Sequence, residues 1–491
     1  MIARRTVRAR APLGALAGVV GFLAFVEFTS GVLQGYYTPM LTDIARHLRI
    51  HDADVNWLEG SQLMLSALIV PIFAKLGDMV GHKRMLLVST ALTAIASLAL
   101  PFTDSFAVFL IAWALQGFYV VWLPLEIALI WSRSRSTGAG AAVTAKAAGL
   151  LVAALEAGAI SGALVGGALV DALPLWLVLL IPGIAVAVCF VVILFGVTES
   201  PDPNGGRFDT TGAVLLTFAL LAFTGGLSLL RLDAGLTAWA LVLVGLALIW
   251  PFALWELRHP DPLIDVRMFA DASLWPVFLT AGLFGVSVLG AQAPLSTFAR
   301  TDPSVHGYGL GTAGFATSLI IGFYLIAMIV GALLYPLAAR RVTPRATLIG
   351  ATLLVAAGYL LFLPFHASYG QVVTNMAIAG IGSGALVAAL PAAAAAAAPL
   401  AQTGVATGLT NAVKTVGGAI ASCIFGIALL NGAAEVADST AGSFAGYVTV
   451  WIVCGGTAVL AAGALTLVPR TAFTDRAPDP AATATGTTSS L

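Results

Sequence analysis

Charge is the scarcest feature of this chain. Of 491 residues, 9% are Asp, Glu, Lys or Arg, against a hydrophobic share of 59% and a mean hydropathy of +0.98. Soluble domains carry about 25% charged residues. A water-soluble fold is excluded, because no soluble core could bury so much apolar chain, and the bilayer must act as solvent for most of it. Acids and bases cancel to a net charge of zero, which removes the electrostatic basis for nucleic-acid binding. Cysteine is also scarce. Cys189, Cys423 and Cys454 lie singly in apolar stretches and make neither a disulfide framework nor a metal site. The histidines (His47, His51, His82, His259, His306 and His366) show no ligand spacing. No serine–histidine–acid set suggests an enzyme, and no Walker-type glycine loop or nucleotide-binding domain interrupts the apolar runs. No cofactor is expected. Uphill movement of a solute would have to draw on an ion gradient or a counter-solute.

What is abundant is long apolar runs. Taking about 20 apolar residues per crossing, spans fall near 13–37, 57–74, 85–102, 105–131, 141–170, 175–197, 211–230, 236–256, 273–298, 312–337, 346–365, 369–396, 404–430 and 444–468, fourteen in all. The basic residues test this count. If the chain starts inside, one side holds Arg4, Arg5, Arg8, Arg10, Lys75, Lys83, Arg84, Arg133, Arg135, Arg207, Arg258, Arg267, Arg340, Arg341, Arg345, Arg470 and Arg476. The other holds only Arg46, Arg49, Arg231 and Arg300. That asymmetry follows the positive-inside rule and predicts a multi-pass protein of the plasma (inner) membrane with both termini cytoplasmic. The arginine-rich start runs on as a first span, without a cleavage site. The small, polar tail 471–491 is expected to be disordered.

The chain also repeats itself. AKLGDMVGHKR at 74–84 and YPLAARRVTPR at 335–345 are short basic loops with leucine and arginine at matching offsets. GLLVAALEAG at 149–158 and GLTNAVKTVG at 408–417 each begin and end on glycine. The expected partition is a six-helix bundle over 1–200, an inserted helix pair over 201–260 and a second six-helix bundle over 261–470. Such halves enclose a midplane site reached alternately from either side.

These motifs make the chain resemble the major facilitator superfamily, specifically its fourteen-helix drug:proton antiporters. Leu76, Asp78, Gly81, Lys83 and Arg84 match the superfamily's loop pattern, with Ala74 in place of its first glycine. Gly149, Gly158, Gly162, Gly166 and Gly167 match the antiporter motif of helix 5, with Ala163 where that motif has proline. RFDTTGAVLLTFALLAFTGGLSLL at 207–230 resembles the opening of the inserted pair. The resemblance implies conformational roles for Asp78, Gly81, Lys83, Arg84 and Arg133, and for the helix 5 glycines. Two departures stand out. Trp113 occupies the position of a family arginine linked to proton transfer, and the early aspartate of helix 1 is missing, with Glu27 the nearest acid.

Five ionisable residues fall inside the spans: Glu27, Glu126, Lys146, Glu156 and Lys414. Each costs about 2.5–3.5 kcal/mol at a helix centre, so such residues face a cavity or one another and mark a pathway. Glu27 shares a helix face with Ser30 and Gln34, and Glu126 with Tyr119 and Trp122. Lys414 shares one with Asn411, Thr410 and Thr407. Glu27, Glu126 and Glu156 are the candidates for proton coupling. Glu27, Ser30, Gln34, Tyr119, Trp122, Glu126, Asn411 and Lys414 are the candidates for substrate binding. Lys146, near a helix end, is expected to reach the interface or to pair with Glu126. The glycines of helix 5 form one smooth stripe, a sliding surface expected against a helix of the other half. Glu156 points away from that stripe.

The leading expectation is a proton-coupled exporter of hydrophobic, cationic or amphipathic compounds, working as a monomer among membrane lipids. Low dielectric disfavours charge on a carboxylate, so proton and substrate would compete for a common acidic cavity. The lysines motivate an alternative, a dedicated transporter of a zwitterionic, anionic or lipid-like metabolite. A third reading is a non-transporting membrane sensor.

Overall fold

The computed structural model of the chain describes residues 13–134, 140–199, 208–230, 235–260, 262–398, 403–431 and 440–469. Arg4, Arg5, Arg8, Arg10, Arg135, Arg207, Arg231, Arg470, Arg476 and the tail lie outside the described residues, as do the readings that rest on them.

The described regular structure is helical. In chain order the helices are α1 (Leu13–Tyr36), α2 (Leu41–Leu48), α3 (Val55–Val80), α4 (His82–Ala99), α5 (Phe106–Gln116), α6 (Trp122–Ser134), α7 (Gly140–Ala172), α8 (Leu175–Gly196), α9 (Thr210–Leu230) and α10 (Gly235–Arg258). They continue with α11 (Trp275–Gly285), α12 (Gln292–Arg300), α13 (Pro303–His306), α14 (Gly314–Arg341), α15 (Pro344–Leu360), α16 (Tyr369–Ala397), α17 (Thr403–Leu430) and α18 (Phe444–Thr466). Among the described residues, 13 helical segments are long and apolar enough to cross a membrane, and α15 is a shorter apolar helix. Together they occupy the fourteen expected positions.

Two expected spans are not continuous α-helix. A 3-10 turn over Gly117–Val121 separates α5 from α6. A π-turn over Val286–Gly290 separates α11 from α12. Such local changes of winding swing the side chains beyond them onto a new face, and π-turns are frequent at functional sites. The sequence reading also passed over α2. This short helix buries Leu41, Ile44, Ala45 and Leu48 and carries Asp43 and Arg46 in its polar part; Arg49 ends it in the left-handed region at φ 54°.

The packing repeats. α1 lies along α7, α4 on α8, and α3 against α5 and the turn that follows it. In the same way α11 lies along α17, α15 on α18 and α14 on α16. Each set has its own apolar core. The sets meet along α7–α14 and α3–α17, while α9 and α10 pack chiefly on one another.

Glycine sets the closest of these approaches. A Cβ on Gly158 would lie 2.1 Å from the Phe28 carbonyl oxygen, and one on Gly31 would lie 1.9 Å from that of Leu155. In the second set, a Cβ on Gly417 would lie 2.0 Å from the Gly282 carbonyl oxygen. Only glycine lets these backbones touch. The contact corrects one expectation. Gly158, Gly162 and Gly166 pack against Phe28, Val32 and Tyr36 of α1, within their own set, and not against the other one. Gly167 does face the other set, at Gly314 and Ser318 of α14, and Gly149 has nothing within 4 Å of its Cβ position.

Candidate functional site

The two helix sets are tied together at one end. Arg300, closing α12, sets its Nη2 against both carboxylate oxygens of Asp43 on α2, at 2.7 and 2.6 Å. Its Nη1 is 3.8 Å from Asp171 at the end of α7. Asp171 in turn accepts hydrogen bonds from the backbone N–H groups of Gly314 and Phe315 at 2.8 Å, at the start of α14. A carboxylate at a helix N-terminus meets both unpaired donors and the positive end of the helix dipole. The Ser296 hydroxyl donates to the Thr38 carbonyl in the same region. At the opposite end, Leu150 and Val152 of α7 and Val405 of α17 are exposed, and Gly149 and Gly408 have open space around them.

Beneath the tied end lie two adjoining pockets, which share Gln34, Thr38 and Gln292 and together form a cavity between the sets. Gln34 (α1), Thr38, Glu59 and Gln62 (α3), Trp113 (α5) and Tyr119 line it from the first set. Gln292 (α12), Ser287, Tyr324 (α14) and Tyr359 (α15) line it from the second. Three glutamine amides, one carboxylate and several aromatic rings therefore converge on one side, next to a more apolar stretch lined by Ala159, Val288 and Ile321, and convergent polar groups beside apolar wall are the usual make-up of a small-molecule site. Trp113 packs its ring on Tyr37 at a centroid distance of 4.9 Å and on Phe109 at 5.9 Å. It is 1% exposed, and its indole nitrogen has no hydrogen-bond partner among the described residues.

The predicted acids separate into two groups. Glu27 and Glu126 are both 0% exposed, and none of their four carboxylate oxygens has a hydrogen-bond partner among the described residues. They lie within electrostatic reach of each other, with Cys189 and Thr29 beside them, inside the first set. Ser30 is buried on the same stretch of α1, whereas Gln34, one turn further on, opens into the cavity. The turn at Gly117–Val121 splits the other expected face. Tyr119 reaches toward Gln34 and Glu59, while Trp122 and Glu126 are fully enclosed. Lys146 is exposed and does not meet Glu126.

Glu156 and Lys414 form the second group, half-buried on α7 and α17, one in each helix set. Each is within electrostatic reach of the other, although no ion pair closes to 4.0 Å. Asn411, one turn before Lys414, is half-buried, and its carbonyl accepts from the Thr415 hydroxyl at 2.9 Å.

The loop motif is knit within the first set. Gly81 adopts φ 119°, and the Glu199 carboxyl group occupies the place a Cβ would need. That carboxylate accepts the backbone N–H of Lys83 at 2.9 Å and of Arg84 at 3.1 Å, capping α4. Lys83 Nζ donates to the Leu194 carbonyl, Arg133 to Thr198 and to the Glu199 carbonyl, and His82 lies 3.2 Å from Asp78.

Sequence reasoning missed two groups. Glu59, Gln62 and Ser66 repeat the spacing of Glu27, Ser30 and Gln34, a signal that was there to be read. The Asp43–Arg300–Asp171 cluster left no local signal, because its members are far apart in the chain.

Repeated helix packing around a cavity between two sets, closed at one end by charge, is the architecture of a helical membrane transporter. The comparisons agree. The model of the Major Facilitator Superfamily matches residues 23–421, and the chain belongs to that family. It is 26% identical over 419 residues to the tetracenomycin C resistance and export protein of Streptomyces glaucescens, covering 80% of this chain and 72% of that one. It is 24% identical over 404 residues to the multidrug resistance protein Stp of Mycobacterium tuberculosis, covering 79% and 71%. A solved structure of a variant of the nucleoside transporter NupG superimposes with a TM-score of 0.66 at 14% identity, covering 92% of this chain and 99% of that one. The protein is thus a multi-pass transporter of the plasma membrane with the major facilitator fold.

Proposed function

We propose that the protein is a proton-coupled exporter of hydrophobic organic cations, acting as a monomer by alternating access. The observation that carries this reading is the pair of enclosed, unpartnered carboxylates, Glu27 and Glu126, beside a cavity shared by two helix sets. Burying two charges without donors is costly, and a proton is the smallest partner that removes the cost. A group that must take up a proton when enclosed and release it when water arrives can couple proton flow to the rocking of two halves. Entry of two protons, one for each acid, against exit of one monovalent cation moves one net elementary charge inward, which yields about 2.3 kcal/mol per 100 mV, enough for an outward gradient of more than tenfold.

The halves are residues 1–200 and 261–470, with 201–260 inserted between them and both termini in the cytoplasm. The Asp43–Arg300–Asp171 end then faces outward, and the end bearing Gly149 and Gly408 faces the cytoplasm, where a hydrophobic solute would enter. The name of one relative, a resistance and export protein, supports the direction. Against the metabolite alternative, Lys414 does not line the cavity and lies within electrostatic reach of Glu156 on the other helix set.

Everted membrane vesicles test the reading. Addition of a proton gradient should drive uptake of a lipophilic cation such as ethidium, and a protonophore should abolish it. Uptake that survives complete collapse of the gradient would overturn the coupling.

A further inference from the structure

We propose that Glu59 is the cavity's recognition group for the positive charge of the substrate, which the site takes as an organic cation with an aromatic or bulky apolar body. This rests on the reading of the protein as an exporter, but on different residues.

Glu59 sits on α3 in the cavity wall, half-buried, next to Gln62 and Leu63. Among the described residues it accepts no hydrogen bond and meets no lysine, arginine or histidine within 4.0 Å. A carboxylate kept for structure finds such a donor, because a half-buried charge without one is costly. The other charges near the cavity are placed elsewhere. Lys414 and Glu156 are absent from its lining and lie within electrostatic reach of each other, and Arg300 is held by Asp43 and Asp171. Glu27 and Glu126 are sealed inside the first helix set. Glu59 therefore supplies the accessible, uncompensated charge, and its sign is negative.

Its surroundings narrow the ligand further. Tyr119, within electrostatic reach of Glu59, and Trp113 bring aromatic surface to the same cavity, and Leu289 enters from the other helix set. Aromatic rings add attraction for a cation and give its apolar body a place to lie. The amides of Gln34 and Gln62 can serve donors or acceptors on any ligand, so an uncharged solute could use them, but it would leave the carboxylate unmet. An anion would be repelled. Gln292, contributed by α12 beyond the π-turn, places part of the same wall on the opposite helix set, so a cation held at Glu59 touches both sets.

The test uses the full-length protein purified into lipid nanodiscs, with tetraphenylphosphonium as the cationic probe and uridine as the uncharged one. Wild type should bind tetraphenylphosphonium in preference to uridine. Glu59→Gln should weaken tetraphenylphosphonium by about tenfold or more, as expected for loss of a charge–charge attraction at a partly desolvated site, with no change for uridine. Glu59→Asp, which keeps the charge, should stay within about threefold of wild type, a small difference on the same scale. Thermal unfolding of each variant controls for folding. Equal tetraphenylphosphonium binding by wild type and Glu59→Gln overturns the proposal, as does a wild type that prefers uridine. Transport in proteoliposomes separates this from the coupling proposal. Proton-driven movement of uridine alone would leave coupling standing and remove the role of Glu59. Binding of tetraphenylphosphonium through Glu59, with movement indifferent to the proton gradient, would do the reverse.

Discussion

Arg300 and Asp43 stand 257 positions apart in the chain, yet the Arg300 Nη2 is within 2.7 Å of both oxygens of the Asp43 carboxylate. The pair joins α12 of one helix set to α2 of the other. Side-chain exposure is 9% for Arg300 and 21% for Asp43, so solvent screens the pair less than a surface salt bridge. The cluster therefore acts as a clasp that favours the state seen here.

Opening the clasp should expose the cavity at that end. In Asp43→Asn or Arg300→Gln, a cysteine introduced at Gln34 should react several-fold faster with a membrane-impermeant maleimide from the Arg300 side. Arg300→Lys, which keeps a positive charge between Asp43 and Asp171, should stay nearer the parent rate. The native cysteines, all buried, give little background. Unchanged labelling in Asp43→Asn and Arg300→Gln would show that the clasp does not set the closed state.

The glycine contacts predict a contrast within one helix. Gly158→Ala forces a methyl group onto the Phe28 carbonyl, and overpacking of this kind costs about 1–3 kcal/mol or more. Gly149→Ala meets nothing within 4 Å and gains roughly 0.5–1 kcal/mol of helix stability. Thermal unfolding in detergent should therefore move down for the first variant and stay level or rise for the second.

Much of this architecture is legible in the chain, for physical reasons that also set the limit. Apolar run length and basic loops depend on local composition, so the fourteen crossings and the repeat emerge from sequence. The helix 5 glycines are legible as a contact surface, but their partner is not, since spacing fixes a face and not its neighbour. Glu126 shows the same limit. Helical periodicity puts it with Tyr119 and Trp122, and the 3-10 turn at Gly117–Val121 breaks that periodicity. Glu27 and Glu126 are each visible as costly charges, whereas their closeness arises only when α1 meets α6.

Glu199 should act through geometry as well as charge. Glu199→Gln keeps an acceptor for the Lys83 and Arg84 N–H groups but lacks the full charge at the α4 N-terminus, an effect of about 0.3–1 kcal/mol. Gly81→Ala should cost more, because it strains the backbone at φ 119° and collides with the Glu199 carboxyl group. Unfolding temperatures should fall in that order, with Gly81→Ala the lower.

Glu156 and Lys414 should behave as a unit. Either single neutralisation leaves one half-buried charge without its opposite, so Glu156→Gln and Lys414→Met should each slow transport more than the double variant does. The coupling energy in a double-mutant cycle should fall within about 0.5–3 kcal/mol. Strict additivity would mean that the two charges do not sense each other.

The central claim is that Glu27 and Glu126 carry the coupling proton. Its most direct test is a comparison, in proteoliposomes, of uphill transport driven by a proton gradient with gradient-independent exchange of labelled for unlabelled ethidium. Glu27→Gln and Glu126→Gln are expected to exchange ethidium near the wild-type rate while losing uphill transport. Retention of full uphill transport by the double variant would contradict the account.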